Sequence, residues 1–156
     1  MVADLLAPIR FDTDALPEAG RMEIVRGFYA DISMALDMQP LVDSARFRLD
    51  MGALHLDAGC GLGFGHQSPY AARRNRVQAD RHGSENVLLT RFTVPFTFTG
   101  GGLERECFTP GDVLVAPLDQ AFCYAYEQPG RIQTVWIDRR RLRELLPALD
   151  PSPRRL

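Results

Sequence analysis

The sequence predicts a mostly β fold of the α+β class, in which antiparallel strands are preceded by one helix and followed by another. Three observations predict it. Apolar residues recur every three or four positions between Pro17 and Leu36, short segments after residue 46 alternate apolar and polar side chains, and residues 139–149 return to helical spacing. With 156 residues, 46% of them hydrophobic, the chain has the size of one domain with its own core.

The N-terminal helix is predicted from apolar side chains that fall on one face. Asp14 and Pro17 supply residues that commonly start helices, and the pattern ends at the sequence DMQPLVDSA. The residues on the predicted apolar face are Met22, Val25, Phe28, Tyr29, Ile32 and Leu36.

The middle of the chain predicts short antiparallel strands joined by turns. RFRLD and ALHLDAG alternate and are predicted as two strands with a turn at Met51–Gly52, and an arginine-rich connection follows from Gln67 to Asn86. Pro95 indicates an edge or a bulge, and TPGD at Thr109–Asp112 is typical of a turn. Further strands are predicted in NVLLTRFTVPFTFT, LERECF, VLVAP, AFCYAYE and RIQTVWID.

The last helix is predicted in RRRLRELLPAL, which places Leu142, Leu145, Leu146 and Leu149 on one stripe. The tail DPSPRRL has two prolines in seven residues, a composition typical of linkers. The sequence therefore predicts one domain over residues 1–150 and the start of a linker at 151–156.

Charge and composition exclude several classes of protein. The net charge of −2 gives no overall attraction to nucleic acid or to anionic membranes, and no apolar run approaches the about 20 residues of a membrane helix. The N-terminus lacks the features of a signal peptide. Three widely spaced cysteines indicate reduced thiols, so we expect a cytoplasmic protein.

The glycine-rich segment LHLDAGCGLGFGHQ resembles the first motif of S-adenosylmethionine-dependent methyltransferases, with Asp57 at the strand end and Asp80 at a plausible ribose-binding distance. Such a loop must open a helix, yet Pro69 falls in the first turns of that helix and hairpin patterns follow. The sequence therefore favours a strand whose glycines allow a close backbone approach, and a methyltransferase is the weakest alternative.

Six segments between Phe11 and Leu149 occur in a characteristic order: FDTDALPEAGRMEIVRGFY, FRLDMGALHLDAG, RRNRVQAD, NVLLTRF, TGGGLERECFTPGDVLVAP and WIDRRRLRELLPAL. Together they resemble the N-terminal effector-sensing domain of AraC-type transcriptional regulators, the AraC-binding-like domain. The resemblance implies a cupin-like antiparallel β-barrel or jelly roll that binds an unknown small-molecule effector and forms a homodimer. It also implies that DNA is bound only through a C-terminal domain of two helix-turn-helix units, which this sequence does not contain.

A small cupin-type enzyme is the main alternative. Cupin enzymes usually hold a metal through a His-x-His pair, a glutamate and a later histidine, and imidazole with carboxylate suits Fe, Mn, Ni or Zn. This sequence has only His55, His66 and His82, with no His-x-His pair, and no histidine beside Cys60 or Cys107 to activate a thiol. We therefore predict a binding protein without catalytic residues, metal or cofactor.

Candidate ligand-binding residues lie on the aromatic-rich strands. A ligand cavity needs an apolar lining with a few polar groups that orient the ligand. Tyr124 and Tyr126 share one face, Trp136 lies in mid-strand with Thr134 on its face, and Phe92 and Phe96 are the expected partners. Simple core packing is the alternative for each of these residues.

Two other groups carry alternative interpretations. The stripe of Leu142, Leu145, Leu146 and Leu149 is a candidate dimer or interdomain interface through which an effector would shift the population of one arrangement, or it packs on its own sheet. The cluster of Arg73, Arg74 and Arg76 could contact phosphates, but a solvated or salt-bridged surface is favoured over DNA contact.

Overall fold

The structure, a computed structural model, describes residues 9–56, 59–82 and 84–156. The described residues form twelve strands: β1 (Ile9–Asp12), β2 (Asp37–Pro40), β3 (Leu49–His55), β4 (Cys60–Gln67), β5 (Tyr70–Arg74), β6 (Asn86–Phe92), β7 (Phe96–Gly100), β8 (Leu103–Phe108), β9 (Leu114–Pro117), β10 (Phe122–Tyr126), β11 (Gly130–Asp138) and β12 (Arg154–Arg155). They also form three α-helices: α1 (Arg21–Gly27), α2 (Arg76–His82) and α3 (Arg139–Leu145). Among these residues there is no helix with the length and apolar character needed to cross a bilayer.

The strands form two antiparallel sheets that face each other. One has seven strands in the order β1-β3-β4-β11-β6-β9-β12, and the other has five in the order β2-β5-β10-β7-β8. The mostly β, antiparallel fold predicted from the sequence is confirmed. Over the described ranges no strand pairing joins the two sheets, so the architecture is a jelly-roll sandwich rather than the closed barrel that was also expected.

The main core fills the space between the sheets and is rich in aromatic rings. Strands with one face inward alternate buried and exposed residues, as in β10, where Phe122, Tyr124 and Tyr126 are buried and Cys123 is exposed. Phe92 packs against Phe96 with ring centroids 4.5 Å apart and against Tyr126 at 5.2 Å. Burial of this apolar surface provides the main driving force for folding.

A second, smaller core lies on the outer face of the seven-stranded sheet, where α3 covers it. Val87, Val115, Ile137 and Leu142 form this cluster. Strand β9 and the first part of β6 are therefore covered on both faces, as is β11 at Ile137, which explains why NVLL and VLVAP read as nearly continuous apolar runs.

The N-terminal part differs from its prediction in detail. The helix begins at Arg21, after Gly20 with φ 79°, and continues beyond α1 as a π-helical turn over Phe28–Ser33. The turn predicted at Met51–Gly52 is wrong, because β3 runs unbroken from Leu49 to His55. Gly52 lies under the Phe64 ring, where a Cβ would be 2.8 Å from Cζ, so this glycine makes room for a ring within a strand.

The connection from Gln67 to Asn86 is more structured than the sequence indicated, since it contains β5 and α2. A reciprocal capping box begins α2: the Asn75 backbone N–H donates to Gln78 Oε1 at 2.7 Å, and the Gln78 N–H donates to Asn75 Oδ1 at 2.9 Å. The pattern N-x-x-Q was the sequence feature that could have predicted this helix.

The last helix is shorter than predicted. Asp138 caps α3 by accepting hydrogen bonds from the N–H groups of Arg140 and Arg141, and the helix ends at Leu145. Pro147 explains the early end, because a residue before proline is disfavoured in helical conformation and Leu146 has φ −134° and ψ 68°. Of the predicted leucine stripe, Leu142 and Leu145 therefore lie in α3, and Leu146 and Leu149 follow it.

The tail, predicted to begin a linker, lies along the edge of the seven-stranded sheet. Its strand β12 pairs with β9, and Leu156 and Val113 exchange backbone hydrogen bonds of 2.9 and 3.2 Å. The Arg155 guanidinium lies 4.9 Å from the centre of the Phe108 ring and 2.9 Å from a Glu106 carboxylate oxygen. These contacts hold residues 154–156 on the domain.

Candidate ligand-binding cavity

A cavity of about 310 Å³ lies between the two sheets. This volume is at the small end of the range of about 300–1,000 Å³ that is usual for ligand sites. Its wall receives residues from both sheets and from the segment around Phe28–Met34, and most of the wall is apolar. The cavity has the size and lining of a site for one small molecule.

Trp136, the only tryptophan, forms one wall of the cavity, and the glycine-rich strand makes room for its indole. A Cβ on Gly61 would be 2.1 Å from Trp136 Cζ2, whereas a Cβ on Gly63 would be 3.4 Å from Cζ3, an ordinary contact. His55 meets the indole edge-on, with ring centroids 5.3 Å apart. Gly61 is therefore a position of close approach, as the sequence favoured, whereas Gly63 is not.

The methyltransferase interpretation does not fit this geometry. Residues Cys60–Gln67 form β4, which pairs antiparallel with β3 and β11 and opens no helix. A cofactor loop needs parallel strands and a following helix whose N-terminus faces the ligand. Asp57 lies outside the described residues, and Asp80 forms an exposed ion pair with Arg76 within α2.

Aromatic and thioether side chains form the opposite, N-terminal side of the cavity. Phe11 and Phe28 stack with centroids 4.3 Å apart and an interplanar angle of 20°. Met34 and Met51 complete this part of the wall. Flexible methionine side chains adapt easily to the shape of an apolar group.

Two buried tyrosines, Tyr29 and Tyr70, line the cavity, and their hydroxyl groups bond to Gln67 and Tyr124, which are not part of its lining. The Tyr29 hydroxyl donates to Oε1 of the fully buried Gln67 at 3.1 Å, and the hydroxyls of Tyr70 and Tyr124 are 2.7 Å apart. Burial raises the pKa of Tyr29, Tyr70 and Tyr124 well above the ordinary tyrosine range. These phenols are hydrogen-bonding groups that stay neutral.

Arg74 is the most unusual residue of the cavity wall, because it is a guanidinium with only 1% of its surface exposed. Its Nε donates to the Leu118 carbonyl at 2.9 Å, and its Nη1 donates to the Met34 carbonyl. Its Nη2 is buried and has no hydrogen-bond partner among the described residues. Desolvation lowers the pKa of Arg74, and the nearby Asp119 carboxylate opposes that effect.

The solvated arginine cluster favoured from the sequence is therefore wrong for Arg74. Arg73 and Arg76 are exposed, but alternation along β5 turns Tyr70, Ala72 and Arg74 inward. The alternating pattern YAARR was the available sequence feature. It was missed because arginine is rarely buried.

The predicted ligand-binding residues divide into two groups. Thr134 and Trp136 line the cavity. Phe92, Phe96, Tyr124 and Tyr126 are buried in the adjoining aromatic core instead. The cavity also takes Tyr29, Tyr70 and Arg74, which the sequence analysis did not select.

The predicted leucine interface also divides. Leu142 is buried in the outer cluster and Leu149 packs against it. Leu145 and Leu146 are 56% and 50% exposed. Only these two leucines of the stripe have exposed surface large enough to contact another chain or domain.

The histidines do not converge. His55 lines the cavity, His66 is exposed on β4, and the His82 side chain lies outside the described residues. In the part of the chain that the structure describes, no three histidine, cysteine or acidic side chains form a metal-binding group.

Comparisons with known proteins identify similar folds. No protein-family model matches the sequence, and no curated protein matches it. The AraC-like transcriptional activator CuxR superposes with a TM-score of 0.73 at 12% identity, covering 88% of this chain and 49% of that chain. The cupin domain of Cnp3 from Schizosaccharomyces pombe gives a TM-score of 0.45 at 10% identity, covering 65% and 73% of the two chains.

An RmlC-like cupin from Shewanella frigidimarina gives a TM-score of 0.44 at 11% identity, covering 59% of this chain and 78% of that chain. This chain spans about half the length of the CuxR chain that it matches. The resemblance predicted from the sequence is confirmed at the level of the fold: the chain has a cupin-like, two-sheet fold of the kind present in an AraC-like transcriptional activator.

Proposed function

We propose that this chain is the effector-sensing domain of an AraC-type transcription regulator, and that the effector binds in the cavity between the sheets. The observation that carries the proposal is a small, mostly apolar cavity with a few polar groups, inside a fold shared with an AraC-like activator. The proposal includes a cytoplasmic location, a homodimer and an attached helix-turn-helix domain that binds the DNA. It assigns the site to binding rather than catalysis.

The path from the cavity to a partner follows from the last part of β11, which has the cavity on one face and the α3 cluster on the other. Thr134 and Trp136 face the cavity, whereas Ile137 packs on Leu142 of α3 behind the same strand. An effector that prefers one arrangement of this strand shifts the population of α3 positions. The exposed Leu145 and Leu146 then carry the change to a second subunit or to the DNA-binding domain.

The proposal is tested by screening the purified protein against a small-molecule library by thermal shift, with Trp136 fluorescence as the second readout. A ligand at 100 times its Kd stabilises the folded state by about 2.7 kcal/mol. We expect hits to raise Tm and also to change the emission of Trp136, since this residue lines the cavity.

Ala53→Leu supplies the cavity-filling variant, because Ala53 lines the cavity on β3. Ala71→Leu is its matched control, since Ala71 lies on β5 outside the cavity lining. Hits must lose affinity in Ala53→Leu and keep it in Ala71→Leu. Absence of any hit, or equal affinity in both variants, would refute a ligand site in this cavity.

A further inference from the structure

Arg74 brings a positive charge to the cavity wall that the described residues do not fully pair. Two backbone carbonyls accept from its Nε and Nη1, but Nη2 has no partner. A buried polar group without a partner destabilises the folded state, more so when it is charged. The Arg74 Nη2 group therefore has the capacity to donate to an acceptor bound in the adjoining cavity.

The nearest carboxylate does not neutralise this charge. Asp119 forms an ion pair of 2.7 Å with Arg139, and it acts on Arg74 only from beyond ion-pair distance. Because Asp119 is paired with Arg139, the positive charge of Arg74 has no ion-pair partner of its own among the described residues. A monoanion is the ligand group that balances it.

We propose that the ligand is a small molecule with one carboxylate and an apolar or aromatic body, and that Arg74 binds the carboxylate. This inference rests on the proposed function. A guanidinium matches the planar geometry of a carboxylate. The apolar body fits the remaining wall, where Trp136, Phe11 and Met51 supply contact surface.

Neighbouring side chains favour a single negative charge. Ser84 and Asn86 lie on the cavity wall near Arg74, since the Asn86 carbonyl accepts from the N–H of Leu118, whose own carbonyl accepts from Arg74. Their side chains add neutral hydrogen-bond donors. Asp31, an exposed carboxylate on the lining, repels a second negative charge and so disfavours a phosphate dianion.

The experiment compares acids with their amides, which have nearly the same size and differ in charge. The probes are phenylacetate and 3-phenylpropionate, phenylacetamide and 3-phenylpropionamide, and inorganic phosphate. Binding to the whole chain is measured by calorimetry and by Trp136 fluorescence. We expect each acid to bind about tenfold or more tightly than its amide, as for a hydrogen bond to a charged group, and phosphate to bind more weakly than the acids.

The variants are Arg74→Met, which removes the charge, and Arg73→Met, the matched control on the exposed face of the same strand. The preference for acids must disappear in Arg74→Met and persist in Arg73→Met. Arg74→Lys keeps a charge and is expected to keep part of the preference; it replaces Arg74→Met in the comparison if circular dichroism shows that Arg74→Met is unfolded.

The possible results separate this inference from the function on which it rests. Three results would overturn the carboxylate assignment and leave a ligand cavity in place. The amides could bind as tightly as the acids, or phosphate could bind as tightly as the acids. The preference for acids could also survive in Arg74→Met or be unchanged in Arg74→Lys. A native protein that binds neither acids nor amides would overturn the inference, and the proposed function would fail with it only if the small-molecule library also gives no hit.

Discussion

At Gly61 the missing side chain makes room for the indole of Trp136. The Cβ of any other residue would be 2.1 Å from Cζ2 and 2.3 Å from Cε2 of that indole. Two residues further on, Gly63 has only an ordinary contact at 3.4 Å. The two glycines of one motif therefore have different roles.

Gly61→Ala is expected to displace the indole and to lower the free energy of unfolding by about 1–3 kcal/mol, the usual effect of overpacking. Gly63→Ala is the control and is expected to change stability by less than about 1 kcal/mol. Urea denaturation followed by Trp136 fluorescence measures both. Equal losses in the two variants would contradict the assigned close approach.

The types and spacing of residues in the sequence predicted only part of the cavity lining. Trp136 and Thr134 could be selected because they lie two residues apart, and so on the same face, of one predicted strand. Arg74 was concealed because composition assigns arginine to the surface, and only the sheet register shows that its side chain points inward. Helical spacing placed Tyr29 on the apolar face of the N-terminal helix, but that spacing does not show that the residue reaches a cavity between the sheets.

The helix α3 has one leucine buried against the sheet and another exposed to solvent. Leu142 is 1% exposed in the outer cluster, whereas Leu145 is 56% exposed in the same helix. Helical spacing placed both on one stripe, but the helix ends at Leu145 before Pro147, and its last residue lies outside the covered area.

Leu142→Ala is expected to lower the free energy of unfolding by about 2–5 kcal/mol, because it creates a cavity in the outer cluster. Leu145→Ala, the control in the same helix, is expected to stay within about 0.5 kcal/mol of the native protein at low protein concentration. Chemical denaturation measures both. A comparable loss in Leu145→Ala would show that Leu145 is buried in an assembly.

Other elements differ from their predictions for local physical reasons. The strand β3 continues through Met51–Gly52, where Met51 pairs with Gly65 and Gly52 with Phe64 of β4, and a local pattern does not contain this pairing. In contrast, the helix α2 had a local capping box at Asn75 and Gln78, and was predictable.

Across the whole molecule, all four tyrosines belong to one buried aromatic cluster that extends over both sheets. The rings of Tyr70 and Tyr126 are 4.9 Å apart, and those of Tyr29 and Tyr70 are 5.4 Å apart. Burial raises the pKa of each of the four hydroxyls, so their deprotonation is coupled to unfolding.

The coupling predicts loss of stability at alkaline pH. Since the folded-state pKa values are raised above the ordinary 10.0, the neutral hydroxyls contribute stability that is fully present below pH 10.0 and declines as the pH rises above it. We expect phenolate absorbance to appear together with loss of circular dichroism in a pH titration. Phenolate that forms while the native spectrum persists would contradict the prediction.

The fold class was predictable because period-2 alternation and turn residues extend over most of the chain. The arrangement of the sheets was not, because strands such as β6 and β9 are apolar on both faces and their sequences do not say which face meets the cavity. Register between distant strands, such as β4 with β11, also depends on tertiary contacts.

One peptide unit separates the cavity from the helix that covers the back of the sheet, since Trp136 and the next residue, Ile137, face opposite sides of β11. Interiors packed on both sides transmit displacement because they have little free volume to absorb it. A ligand that displaces the indole therefore displaces the backbone of β11 as well. Because no other layer of residues lies between this strand and α3, the displacement reaches the helix directly.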